Sequence, residues 1–459
     1  MDKEEVIKLK IKNSIEDNDI NKARILIHEY ERHYDLDIEY FSLLSIIEIL
    51  EGDFLKAKKT IKTGLDLKPN DYDLLFNMNY LMKNVLPDSY EEKRYYIWSK
   101  LFNISLEVEN PFKGAENKKV DIKKSNILHG TIEIANQMNT LTKGLSNQGL
   151  NAKALNYYPS YLKYKADYEI DLHSGVDYTS ANVVSKKLAS RFIQDNDIFH
   201  FHFGTTLTLD YSDLPILKDL GKKTVMQHWG SEVRQYSKAK VFSKNVKVKE
   251  INEEIIKYRM DLISKYIKHC IVSDYELYEY VKDFYQDIYL LPPVVDLNIF
   301  KMKKNDRTKN KLLIVHAPTN RDIKGTEYII KAIDELSLLY DFDFKLIENM
   351  SYEEAMATYN KADIVIDQLL IGSYGLVSIE NMALGKPVIC YINEYMQDKY
   401  PSDLPIISAD IYDIKSKLQY LIANRDCLHD IGMKSRLYVE KYHNLEIATN
   451  DLVNIYKKL

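Results

Sequence analysis

Over residues 1 to about 112, apolar side chains recur at helical spacing and no alternating strand pattern is present. This predicts an all-helical segment. Inside it, Asp19-Ile-Asn-Lys-Ala23 aligns with Asp53-Phe-Leu-Lys-Ala57, and Asp37 aligns with Asp71, all at one offset of 34 residues. After the polar stretch Pro111–Val120 the pattern changes. Strands are expected at Ser125–Gly130, Ala152–Leu155, Asp197–Phe203, Lys223–His228 and His269–Val272, with an amphipathic helix over Ile134–Gln148. A basic, irregular stretch, Lys301–Lys311, precedes a second set: strand Lys311–His316, helix from about Gly325 to Leu339, strand Phe344–Ile347, helix Tyr352–Lys361 and strand Ala362–Asp367. Alternation of this kind implies mostly parallel sheets with helices on both faces. The pattern predicts an α/β protein with two Rossmann-like domains, residues 113–300 and 301–459, facing a cleft and preceded by an all-α domain, residues 1–112.

Composition narrows the function classes. A chain of 459 residues with 45% hydrophobic and 29% charged content is soluble and globular, and long enough for two or three domains. A net charge of -5 exerts no global pull on nucleic acid. Cys270, Cys390 and Cys427 are too few and too scattered for a disulfide framework. The N-terminus is charged without an apolar signal core, and no run is long enough to span a membrane. A cytoplasmic location is expected. The basic clusters Lys118–Lys124 and Lys238–Lys249 allow at most peripheral contact with an anionic membrane.

The most informative segment is Gly372-Ser-Tyr-Gly-Leu-Val-Ser-Ile-Glu-Asn-Met-Ala-Leu-Gly-Lys-Pro-Val388. It reads as a glycine loop, a short apolar helix, a glycine stop and a strand. That order places a helix N-terminus at the carboxyl edge of a parallel sheet, where open α/β folds bind nucleotides. Gly375 permits close backbone approach, and the N–H groups of Tyr374, Gly375 and Leu376 are candidate phosphate donors. Glu380, lone carboxylate of an apolar helix, is placed to accept from a ribose diol. His200 and His202 alternate along one strand and share a face; their spacing suits a metal, but no neighbouring cysteine or carboxylate completes a set, so no metal site is expected.

Two such domains with this motif in the second resemble GT-B glycosyltransferases, most closely the retaining, nucleotide-sugar-dependent family 4, over roughly residues 124–459. Tyr374–Val388 is similar to that family's diagnostic segment. Val315-His-Ala-Pro-Thr-Asn-Arg-Asp-Ile-Lys-Gly325 resembles the loop carrying its phosphate-binding Arg and Lys, and Gln227–Arg234 resembles the segment with its donor-contacting His. The resemblance implies Arg321 and Lys324 at the diphosphate, where charge grows as the glycosidic bond breaks. It implies His228 at the donor or acceptor, Glu380 on the ribose, and Glu348 and Met350 at the base. Gly130, Asn320, Gly372, Tyr374, Gly375 and Leu376 complete the donor-binding set. It also implies a metal-independent reaction with a UDP-sugar as donor and no further cofactor. The chain departs from the family at Gly372, where a sugar-contacting glutamate is expected, and in the loop His129–Asn136, which has one glycine instead of two. The 34-residue repeat resembles tetratricopeptide units, a module that binds peptides or subunits. The expected activity is transfer of a hexose or N-acetylhexosamine to a protein or cell-surface glycan. The alternative is a catalytically weak scaffold that binds a partner glycosyltransferase through the repeats; a sugar-nucleotide epimerase fits less well.

Overall fold

The computed structural model describes residues 3–68, 71–84, 121–160, 162, 164–302 and 311–459. The linker Pro111–Val120, with Lys118 and Lys119 of the first basic cluster, and most of Lys301–Lys311 fall outside these. The helical segment and the α/β body are separate compact units.

The first unit contains α1 (Lys3–Glu16), α2 (Ile20–His33), α3 (Ile38–Leu50), α4 (Phe54–Leu67) and α5 (Tyr72–Asn84). The sequence repeat has a direct physical meaning here. Asp19 and Asp53 cap α2 and α4, while Asp37 and Asp71 cap α3 and α5, each accepting a backbone N–H from the first turn. Ala23 and Ala57, and Ile27 and Ile61, occupy matching buried positions. At Gly64, a β-carbon would lie 2.5 Å from Leu74 Cδ1, so the small residue lets α4 and α5 close together.

The α/β body holds two sheets of parallel strands. Seven strands form the first in the order β3-β2-β1-β4-β5-β6-β7: β1 (Asn126–Thr131), β2 (Asn151–Asn156), β3 (Tyr168–Glu169), β4 (Ile198–His202), β5 (Lys223–His228), β6 (His269–Val272) and β7 (Asp287–Leu290). The second has the order β11-β10-β8-β9: β8 (Leu312–His316), β9 (Phe342–Leu346), β10 (Ile364–Ile366) and β11 (Val388–Ile389). Central strands buried on both faces explain the near-continuous apolar runs. In β10, Ile364 and Ile366 join one core and Val365 the opposite one, the period-2 signature of a strand covered twice. The helix expected over Ile134–Gln148 starts later, at Gln137. Ala135 and Asn136 adopt positive φ, and the Glu133 carboxylate accepts from Met138 and Asn139 N–H groups, so the loop itself caps the helix.

The chain crosses between the sheets twice. After β7, Val295 runs beside Asn444, and its N–H donates to the His443 carbonyl at 3.0 Å. The last helix, Leu445–Tyr456, then packs on the first sheet, adding Leu445, Leu452 and Tyr456 to the core around Ile127, Ile198 and Val225. Gly144 makes that packing feasible: a β-carbon there would meet Thr449 Cγ2 at 2.4 Å and Leu445 Cδ1 at 2.8 Å. Gly144→Val is expected to cost about 1–3 kcal/mol through overpacking, read as a lower urea midpoint at unchanged slope.

Candidate active site

The carboxyl edge of the second sheet brings two of the predicted phosphate residues, Lys324 and Gly375, together around one carboxylate. Asp367, at the end of β10, is fully buried. Lys324 Nζ donates to Asp367 Oδ1 at 2.6 Å and to Gln368 Oε1 at 2.8 Å. The other carboxylate oxygen accepts from Ser378 Oγ at 2.7 Å and from the Gly375 N–H at 3.4 Å. Burial raises the pKa of Asp367, but the Lys324 charge and these bonds outweigh it, so the net shift is downward. Asp367 and Gln368 take two of the three ammonium protons of Lys324, and the Gly375–Asp367 bond sets this pair beside the N-terminal end of the helix Leu376–Ala383, an end that favours an anion. Gly325, at φ +75°, ends the short helix Arg321–Lys324 and aims Lys324 back at the sheet edge.

Arg321 is placed differently. Its guanidinium makes a bidentate pair with Glu348, through Nε at 2.7 Å to Oε1 and Nη2 to Oε2. Hence two residues expected to serve phosphate and base bind each other, with the arginine side chain 58% exposed. Glu348 is held below the usual carboxylate range by this pair. Asn320 caps the Arg321–Lys324 helix by accepting from the Ile323 N–H at 3.0 Å. Met350 packs, half-buried, against the core under the loop.

Glu380 is 5% exposed, and Tyr352 donates to its Oε1 at 2.7 Å. Burial pushes its pKa up to about 7. Gly372 explains the missing glutamate in steric terms. Its φ is +95°, and a β-carbon would lie 2.4 Å from Asn393 Nδ2, so Asn393 fills the space a side chain would need. The Tyr374 side chain is engaged at the crossover between the sheets. Its hydroxyl lies 3.1 Å from both Tyr438 Oη and His443 Nε2, and His443 Nδ1 donates to the Pro293 carbonyl at 2.8 Å. A cavity of about 130 Å³ at this crossover, lined by Asp274, Tyr374, Tyr400 and Tyr438 among others, is smaller than the roughly 300 Å³ and upward of small-molecule sites.

On the first sheet, Gly130 lies inside β1, paired with Leu155 and Phe201. His228 is fully buried, with Nε2 2.8 Å from Tyr285 Oη and Nδ1 3.3 Å from Glu232 Oε1. Arg234 makes a bidentate bond to Glu276, two contacts of 2.8 Å, which also accepts from Ser373 of the other half at 3.5 Å.

The tertiary structure adds His129 to His200 and His202, three buried rings each offering a nitrogen within 4.8 Å of the others. Their protons can be assigned from one group. An indole N–H only donates, so Trp229 Nε1, 3.2 Å away, fixes His202 Nδ1 as an acceptor. His202 Nε2–H then donates to His129 Nδ1 at 3.1 Å, His129 Nε2–H to Tyr456 Oη at 2.8 Å, and the Tyr456 hydroxyl to His200 Nδ1 at 2.8 Å. A metal on His202 Nε2 would move its proton to Nδ1, setting two donors against each other. In this hydrogen-bonded chain His200 Nε2 is left without a partner among the described residues.

No protein-family profile and no curated protein matches this sequence. Solved structures do match in three dimensions. Sucrose-phosphate synthase from Thermosynechococcus elongatus aligns over 72% of this chain and 98% of its own, at 12% identity and a TM-score of 0.52. A glycosyltransferase from Rickettsia africae aligns over 73% and 98%, at 14% identity and 0.51. HepE of Anabaena, solved with UDP and glucose, aligns over 73% and 100%, at 10% identity and 0.50. The chain has the GT-B fold. Within this GT-B body, sequence reasoning missed Gln368, Ser378, Tyr352 and Asn393. Only the Asp-Gln pair closing a strand carried any signal, since contacts between residues 11 to 44 positions apart leave no periodic trace.

Two outcomes test this description. Gly372→Glu, introducing the glutamate that the resemblance implies, is expected to destabilise the protein by about 1–3 kcal/mol, through the left-handed backbone and the Asn393 contact. Thermal denaturation measures it, and Asn393→Gly should relieve part of the loss. For the histidines, burial lowers all three pKa values, His200 to about 3. The unfolded chain then binds more protons below pH 6.5, so the stability from these groups is present above that pH and lost as it falls. Histidine ring ¹⁵N spectra should show all three protons on Nε2 and no titration down to pH 5; a midpoint near 6.5 would contradict the chain.

Proposed function

We propose that this protein is a glycosyltransferase that moves a hexose or N-acetylhexosamine from a UDP-sugar, with retention, to a protein or cell-surface glycan. One observation carries the reading. In a GT-B body, the Lys324 ammonium sits on Asp367 and Gln368 at the N-terminal end of the helix Leu376–Ala383, and Glu380 lies on that same helix. A cation and a helix N-terminus suit a diphosphate, and a carboxylate one turn further suits the attached ribose. The HepE complex with UDP and glucose supports a UDP-sugar donor.

In this mechanism Lys324 and the Leu376 N–H group stabilise the charge that grows on the leaving diphosphate, and Asp367, itself held by Ser378 and the Gly375 N–H, keeps the ammonium in place. Metal independence follows as part of the proposal, with Lys324 as the resident cation; Arg321 joins only by exchanging Glu348 for phosphate. The acceptor proton passes to a donor phosphate oxygen. Helices α1–α5 are proposed to recruit the acceptor, as tetratricopeptide-like modules do. The protein acts without nucleic acid and with no more than peripheral membrane contact; no helix among the described residues is long and apolar enough to cross a bilayer.

A second reading, a catalytically weak scaffold, is favoured by the engagement of its polar groups. Lys324 and Arg321 are both matched by carboxylates, and His228 is buried with both ring nitrogens occupied. Titration with UDP, UDP-glucose and UDP-N-acetylglucosamine separates the two. The enzyme reading expects a melting shift equivalent to about 2.7 kcal/mol at a hundredfold excess over Kd, and slow donor hydrolysis. Lys324→Ala should weaken UDP binding about 10- to 100-fold, by loss of a charged hydrogen bond. Binding without any hydrolysis or transfer in a donor screen selects the scaffold.

A further inference from the structure

Glu380 presents a chemical problem. It is almost wholly buried, yet a carboxyl that accepts from two ribose hydroxyls must be ionised, and burial favours the neutral form. A single protein group addresses its carboxyl among the described residues: the Tyr352 hydroxyl, 2.7 Å from Oε1. Tyr352 is itself firmly placed. It opens the helix Tyr352–Tyr359 immediately after Ser351, whose hydroxyl accepts from the Glu354 N–H at 3.3 Å while Glu354 Oε2 accepts from the Ser351 N–H at 2.8 Å. From the first half of the body, the Tyr164 ring meets the Tyr352 ring edge-on, with centroids 5.3 Å apart.

We propose that Tyr352 is a positioning residue for Glu380: its hydroxyl holds Oε1, supports the ionised carboxylate, and reserves Oε2 for the ribose of a nucleoside diphosphate. The inference rests on the reading that this site binds a nucleotide sugar, and it deepens that reading to selection of ribose over deoxyribose. A hydroxyl donating to a carboxylate stabilises the charged form. It also restricts the carboxylate to one orientation, which a ligand then does not have to impose. The edge-on Tyr164 adds a contact from the opposite half, so the two halves meet at the group that selects the sugar.

The pH dependence follows. The competent form of Glu380 is the anion, so ribose selection rises with pH as the carboxyl ionises. The titratable groups around it are Tyr352 and Tyr359 on one helix and Tyr164 opposite. Burial pushes the Tyr352 and Tyr359 hydroxyls upward, so both stay protonated to pH 9.

The test is calorimetric titration of the full chain with UDP and 2′-deoxy-UDP at pH 6, 7.5 and 9. The wild type should prefer UDP by about tenfold or more at pH 7.5, with the preference growing from pH 6 to 9. Tyr352→Phe should lose about tenfold in UDP affinity at pH 7.5 and most of the preference, and recover part of both at pH 9. Glu380→Gln should show no preference at any pH. A Tyr352→Phe protein that keeps affinity and preference overturns the proposal while leaving nucleotide binding intact. UDP binding by the wild type with no ribose preference also overturns it alone. Failure of the wild type to bind UDP at all removes the underlying site and the proposal with it. Should Tyr352→Phe fail to fold, the wild-type pH profile decides: a preference that does not grow from pH 6 to 9 is the contrary result.

Discussion

A buried carboxylate needs a counter-charge and hydrogen-bond donors, and at Asp367 this requirement organises the edge of the second sheet. One oxygen takes Lys324 and the other takes Ser378 and the Gly375 N–H. Three separate pieces of chain, the end of β10, the short helix after β8 and the helix Leu376–Ala383, are thereby fixed relative to one another. Removing the carboxylate would leave an ammonium 13% exposed without its counter-charge, the situation in which half of an ion pair is most costly. Gln368 extends the cluster by accepting from Lys324 and donating to the Ser373 carbonyl, which sets the glycine loop. The conformation of Gly372 and the position of Glu380 follow from that placement.

The first sheet is organised by a comparable rule with neutral groups. Trp229, His202, His129, Tyr456 and His200 form one directed series of four hydrogen bonds, each donor passing to the next ring or hydroxyl until His200 Nε2, which has no partner among the described residues. The series runs through Tyr456 of the last helix, so the segment that returns from the second sheet is bonded into the core of the first. With the pairing of Val295 and Asn444 and the packing at Gly144, the two halves of the GT-B body are joined by polar as well as apolar contacts.

Much of the architecture was legible in the sequence. The strands expected at Lys223–His228 and His269–Val272 have those boundaries in the structure, since β-rich apolar runs bounded by polar residues leave little choice. The 34-residue repeat mapped onto four aspartate caps, a local effect encoded within three residues of each helix start. The site was legible in part. Lys324, Gly375, Leu376 and Glu380 do assemble at one sheet edge, because short loops leave a strand end and the next helix start no other place to go. Arg321, Glu348 and His228 carried a family pattern, but the pattern does not specify what each side chain bonds to.

Local periodicity, capping and loop chemistry therefore determined the element order, the parallel sheets and the helix start at the carboxyl edge of the second sheet, because these depend on neighbours within a few residues. Tertiary structure alone decided that Asp367 holds Lys324, that Arg321 and Glu348 take each other, that Asn393 fills the space beside Gly372, and that His129 joins His200 and His202 under Tyr456. Those outcomes depend on donors and acceptors separated by 21 to more than 300 residues competing for buried partners, and only the packed fold brings the competitors together.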